Sequence, residues 1–261
     1  MTYNKAKPNR QARRLGIKPE EPKREEKKTV SKAAVLSQKA KQAREAQRRI
    51  TPPGMTYGEY MQGCVKGEKD IIFVNVSWGL GIGIIIDGKI YKGKSGFSGE
   101  FGHVNTFDNE IICHCGKKGC LETEASGSAL HRTLLERILK GENSILSNRV
   151  NMETPITLDE IIAAVNKEDL LCIEIVEEIG QKLGKQIAGL INIFNPELVI
   201  IGGTLSLTED YITQPIRTAV RKYSLNLVNK DSVITTSKLK DKAGIVGACM
   251  LARSRMFEGT N

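Results

Sequence analysis

The sequence predicts an α/β layered domain, and three observations carry that prediction. Short, wholly apolar runs read as buried strands: Ile71 to Val76, and Leu198 to Ile201 closed by Gly202-Gly203-Thr204. Between them lie segments whose apolar residues recur at helical spacing, above all Asp169 to Phe194. Strands and helices alternate along the chain, the pattern of a sheet covered by helices. A length of 261 residues with 40% hydrophobic content is enough for one large domain or two small ones.

The net charge of +9 is unevenly spread. Residues 1–53 hold 16 Lys and Arg against 5 Asp and Glu, whereas residues 54–261 hold 23 against 25. The first segment has only six large aliphatic residues, Leu15, Ile17, Val30, Val35, Leu36 and Ile50. It cannot bury enough surface to offset the entropy of ordering, so a disordered basic tail is expected. Ser31 to Arg49 has good helix propensity, but its apolar residues stop at Leu36 and no helix-turn-helix follows. A charge run without aromatic or helix-presenting features reads as solvated, which argues against a dedicated nucleic-acid function.

From Gly54 the character changes, and Thr56 to Val65 reads as the later part of an amphipathic helix. Ile71 to Val76 and Ile82 to Ile86 are strands joined by the glycine-rich Ser77-Trp78-Gly79-Leu80-Gly81, and Asp87-Gly88 is a hairpin turn. Ser126 to Lys140 carries Leu130, Leu134, Leu135 and Ile138 on one side of a helix. Thr157-Leu158-Asp159-Glu160 is a capping box that starts a helix to Val165. The helix over 169–194 buries Ile173, Val176, Ile179, Leu183, Ile187, Leu190 and Ile191 and ends at Asn195-Pro196. Further helices are predicted near Thr213 to Tyr223 and Gly244 to Met256, with a strand at Val233 to Thr236.

Cys113-His114-Cys115-Gly116-Lys117-Lys118-Gly119-Cys120-Leu121-Glu122 packs three thiols into one glycine-turned loop. Three thiolates repel one another unless a cation neutralises them, and a tetrahedral sulfur-rich site is what Zn²⁺ prefers. His114, between two of the cysteines, would have to fold back on itself to join them. His103, in Glu100-Phe101-Gly102-His103, approaches from upstream and is taken as the fourth ligand. The first thirty residues have no apolar signal core, and no run approaches the roughly 20 apolar residues of a membrane span. A cytoplasmic protein with reduced thiols is expected, so the cluster reads as a metal site rather than disulfides. Cys64, Cys172 and Cys249 fall in helical patterns and are expected in the core.

The set Gly79-x-Gly81-x-Gly83, Asp87-Gly88, Gly93, Glu100-x-Gly102-His103, the cysteine motif ending in Glu122, and Gly202-Gly203 resembles the ROK family from about Met55 to Phe257. That family contains bacterial sugar kinases and sugar-responsive transcriptional repressors on the actin-like ATPase (ribonuclease H-like) fold. The resemblance implies an α/β C-terminal lobe with zinc held by His103, Cys113, Cys115 and Cys120, and an N-terminal lobe missing. It implies that Glu100, His103 and Glu122 contact a sugar or sugar phosphate. Gly79, Gly81 and Gly83 would form a phosphate loop, and Gly202 and Gly203 the turn beside adenosine. It also implies a lobe through which family members pair as homodimers.

Three departures from the family's kinases stand out. Asp-x-Gly-x-Thr, which cradles phosphate, occurs nowhere in the chain. The Asp that acts as general base should lie just before the helix of Tyr57 to Tyr60, where the sequence reads Arg48-Arg49-Ile50-Thr51-Pro52-Pro53. The second phosphate loop begins Ser77-Trp78-Gly79 where kinases have Gly-Thr-Gly, and an indole there would crowd the phosphate oxygens. The expectation is therefore a catalytically inactive, sugar-sensing portion of a ROK-type regulator, truncated or frameshifted near Gly54. A glucokinase-like enzyme is the alternative. Contact with DNA is expected only through a missing N-terminal domain, and no membrane partner is expected.

Overall fold

Strand β1 (Ile71–Val76) is apolar at every position but Asn75 because helices cover both faces of the sheet it centres. The computed structural model describes residues 52–150 and 155–258; the predicted tail lies almost wholly outside the described residues. β1 pairs antiparallel with β2 (Leu80–Ile86) and parallel with β4 (Leu198–Gly202). β3 (Lys89–Ile90) extends one edge and β5 (Val233–Thr236) the other, giving the order β3-β2-β1-β4-β5. The β2–β3 turn is the predicted one, with Asp87 at φ +49° and Gly88 at φ +72°.

Alternation along β1 sorts its side chains into two cores. Ile72, Val74 and Val76 face the larger, built with Leu134 of α2 (Gly127–Leu139), Ile161 of α3 (Leu158–Val165), and Leu183 and Ile187 of α4 (Leu170–Phe194). Ile212 and Ile216 of α5 (Asp210–Tyr223) complete it. Ile71 and Phe73 face the smaller, with Leu198 and Ile200, Met55 of α1 (Pro52–Gln62) and Ala243 of α7 (Ala243–Glu258). The capping box at Thr157 and Glu160 is fully formed. Asp169 caps α4, which ends at Asn195 in the left-handed conformation before Pro196. α4 and α5 cross closely at Gly184, where a Cβ would lie 2.6 Å from the Ile216 carbonyl oxygen.

Several elements differ from expectation. α1 already begins at Pro52, ahead of the compositional boundary, because Pro52 and Pro53 suit a first turn whose N–H groups are unbonded anyway. It stops at Gln62 rather than Val65, before Gly63, and the Glu59 carboxylate accepts the Cys64 N–H at 3.1 Å. That buried carboxylate also accepts the Ser237 hydroxyl and the Leu239 N–H, tying α1 to the segment after β5. Leu80 and Gly81 belong to β2 rather than to the loop. In α4, Ile175 is buried while Ile173 and Leu190 are half-buried. The short α6 (Asn226–Asp231) carries no apolar period that would announce it. Of the three remaining cysteines, Cys172 is buried, Cys64 is half-buried beyond the end of α1, and Cys249 is exposed. The expectation of a core Cys249 is therefore corrected: it lies on the outward side of α7.

Candidate metal centre

The loop over 103–122 is held shut at its base by backbone pairing. A 3₁₀ turn over Phe101–His103 delivers His103, and another over Leu121–Thr123 follows Cys120. Between them the Leu121 N–H donates to the Val104 carbonyl at 3.0 Å and the Thr106 N–H to the Gly119 carbonyl at 2.9 Å. At the tip, the Gly116 N–H donates to the Cys113 carbonyl at 2.9 Å and the Cys113 N–H to that of Lys117 at 2.8 Å. Gly116, at φ +86°, supplies the left-handed step that reverses the chain.

This turn gathers one nitrogen or sulfur atom from each of His103, Cys113, Cys115 and Cys120, all within 4.8 Å of one another. Cys113 Sγ lies 3.5 Å from His103 Nδ1, and the sulfurs of Cys115 and Cys120 are 3.6 Å apart. Metal–sulfur and metal–nitrogen bonds of zinc's usual length would put tetrahedral neighbours about 3.8 Å (S to S) and about 3.6 Å (S to N) apart. The donor set and its spacing therefore fit a tetrahedral ion, and all the cysteines are free thiols. Burial pushes the Cys113 thiol up to about 12 and raises that of Cys120, while the Lys117 backbone amide lowers that of exposed Cys115. A cation is what would hold all three as thiolates at neutral pH.

The same loop brings a second group together. His103, His114 and Glu122 also place ligand-type atoms within 4.8 Å of one another. His103 Nε2 faces the Glu100 carboxylate at 3.7 Å, so the ring that offers Nδ1 to the cluster turns its other nitrogen toward an acid. Glu100 is exposed; Glu122 is buried, accepting from the Leu80 N–H at 2.9 Å and pairing with His114 Nδ1 at 2.8 Å. The contact of His114 with Glu122 was not found from sequence, where its position between two cysteines marked it only as an unsuitable ligand.

The glycines divide by what they pack against. A Cβ at Gly83 would lie 1.8 Å from Thr56 Oγ1 of α1, one at Gly81 would lie 2.9 Å from Pro52 Cγ, and one at Gly202 would strike the Phe73 ring. Gly79 faces the Glu122 carboxylate, and Gly203, at φ +86°, closes β4. Trp78 tilts against the His131 ring on α2, with centroids 5.5 Å apart. The first N–H groups of α2 are taken by the carbonyls of Ser77 and Trp78.

The ROK family pattern matches residues 33–255, which takes in part of the basic segment. The chain belongs to the ROK family. Its relatives include a xylose repressor of Caldicellulosiruptor bescii, 35% identical over 72% of this chain and 47% of that one. The regulator NagC of Escherichia coli is 33% identical over 78% and 49%, and a glucokinase of Halalkalibacterium halodurans is 31% identical over 76% and 60%. The chain thus spans about half to three fifths of the length of these ROK relatives. Among solved structures, a ROK glucokinase from Streptomyces griseus in complex with glucose and AMPPNP superposes with a TM-score of 0.70 at 30% identity, over 78% of this chain and 66% of that one. A ROK transcriptional regulator described as a homologue of the E. coli MLC protein gives 0.69 at 31% identity, over 76% and 49%. The mixed α/β sheet is that of the actin-like ROK sugar kinases. No described helix is long and apolar enough to cross a membrane.

Proposed function

We propose that this chain is the sugar-sensing part of a ROK-type transcriptional regulator, that its cysteine loop binds Zn²⁺, and that it does not transfer phosphate. The observation that carries the reading is the loop itself. Glu100 lies beside His103 of the Cys/His cluster, and Glu122 beside His114 between two of its cysteines. A metal ion on Nδ1 would fix the His103 ring, and two carboxylates beside it would accept paired hydrogen bonds from adjacent sugar hydroxyls. Repressors of xylose and N-acetylglucosamine systems among the relatives support a sugar as the ligand.

Against catalysis stand the residues that phosphoryl transfer needs. The residues leading into α1, Arg48-Arg49-Ile50-Thr51-Pro52-Pro53, hold no aspartate to act as base. Loss of a positioned base alone removes about 10² to 10⁴ in rate. Trp78 occupies the turn that would face phosphate, and packing alone accounts for Gly81, Gly83 and Gly202. The glucokinase relatives make a sugar kinase the second reading. Calorimetry with glucose, mannose, fructose, xylose and N-acetylglucosamine, beside a coupled assay for ADP with each sugar and ATP, separates the two. Saturable sugar binding without ADP formation is expected; turnover abolished by Glu100→Ala would overturn the regulator reading.

A further inference from the structure

We propose that His114 is a positioning residue that sets the direction in which Glu122 presents its carboxylate to a sugar. The inference rests on the sugar-sensing reading above. Glu122 is 8% exposed, and each of its oxygens has one protein partner: Oε2 takes the Leu80 N–H, and Oε1 takes His114 Nδ1. A carboxylate offers about four acceptor directions, so two remain for a ligand. The Leu80 amide belongs to β2 and is as fixed as the sheet. A single fixed donor would still leave the carboxylate free to turn about its terminal torsion, which is broad for glutamate. The second donor, on the other oxygen, removes that freedom and fixes the plane in which the two unfilled directions lie.

His114 is an exposed residue held through its chain neighbours and through the His103 ring. The cysteines on either side of it in the chain belong to the tetrad. Its ring stands edge-on to His103 with centroids 4.9 Å apart, and its Nδ1 lies 3.8 Å from Cys113 Sγ. Order in the cysteine loop therefore reaches the Glu122 carboxylate through this side chain as well as along the chain from Cys120. The tetrad of His103, Cys113, Cys115 and Cys120 does not include His114, which leaves its side chain to serve the carboxylate.

The test is calorimetric titration of the full chain with glucose, xylose, mannose and N-acetylglucosamine, with metal content measured on each sample. His114→Ala removes the donor from a partly exposed side chain, and His114→Asn puts an amide N–H close to where Nδ1 was. The expected result is sugar affinity weakened about tenfold or more in His114→Ala, restored to near wild type in His114→Asn, at unchanged metal content in both. Equal affinity in all three proteins, with binding still lost in Glu100→Gln, would overturn the role of His114 and leave the sugar reading standing. Loss of metal together with sugar in both variants would also overturn it, by making His114 a part of the metal site. A wild-type chain that binds none of the sugars would overturn both.

Discussion

Asp169 offers the sharpest quantitative test of how the helical layer over the larger core is held. The residue is 6% exposed and its side chain joins two elements: Oδ1 accepts the Cys172 N–H at 2.9 Å as the cap of the 25-residue α4, and Oδ2 accepts the Ile145 N–H at 2.7 Å. Asp169→Ala deletes a helix cap, costing about 1 kcal/mol. It also strands a second amide in a partly buried loop, costing about 1–3 kcal/mol more. A total of about 2–4 kcal/mol corresponds to a Tm lower by roughly 5–12 °C for a domain near 200 residues. Asp169→Asn keeps an oxygen for one amide but turns an NH₂ toward the other, and should fall between. Burial works to raise this carboxyl, but the amides of Ile145 and Cys172 outweigh it and hold it below the usual value. A group lowered on folding stabilises above its unfolded pKa, so the contribution is complete at pH 7. It fades as pH falls from about 4 through the folded value. Thermal scans at pH 7 and pH 3 should therefore show a gap between wild type and Asp169→Asn that narrows in acid. A gap under about 1 °C at pH 7, or one that widens in acid, would refute the reasoning.

Other expectations concern the cysteine loop, α1 and the thiols. Purified protein should hold about one zinc per chain, and Cys115→Ser should lose it, as metal analysis by atomic emission would record; equal content in both would exclude the tetrad. Glu59→Gln turns an amide donor toward donors of Cys64 or Leu239. It should cost about 1–3 kcal/mol in urea unfolding, and no change would mean that the tie between α1 and the 237–239 segment is not stabilising. Burial, reinforced by the charge of Glu59 for one and by Asp169 for the other, pushes the thiols of Cys64 and Cys172 up to about 12. Iodoacetamide at pH 8 should label exposed Cys249 quickly and these two only on unfolding. Mass spectrometry finding Cys172 modified in the native protein would contradict that.

Much of the fold was legible because its signals are local. Ile71 to Val76 is buried on both faces, so it reads as an unbroken apolar run; Thr157 with Glu160 and Asp169 announce helix starts by side chains that bond their own first turns. The gathering of His103, Cys113, Cys115 and Cys120 was legible for a similar reason, since three of them share eight positions and a turn made by Gly116 closes them up. What could not be read depends on distant partners. Glu59 looks like a surface charge until Ser237 and Leu239 arrive from the far end of the chain. Cys249 sits in a helical pattern whose outward side only the position of α1 decides. His114 acquires its partner only once Glu122 is brought back against it.

The seat of α1 on β2 also changes how substitutions at the glycine-rich stretch should be interpreted. A methyl group at Gly83 meets Thr56 Oγ1 and the Pro52 carbonyl before it meets anything in solution. Gly83→Ala would therefore unseat a helix, and any ligand it ceased to bind would be lost through misfolding, with a melting temperature to show for it. Gly79 is different, because its added carbon would press on the Glu122 carboxylate alone, 2.8 Å away. Two glycines four residues apart thus act as separate reporters, one of architecture and one of the proposed sugar site. A mutational scan that pooled them would credit the phosphate loop with what belongs to a helix.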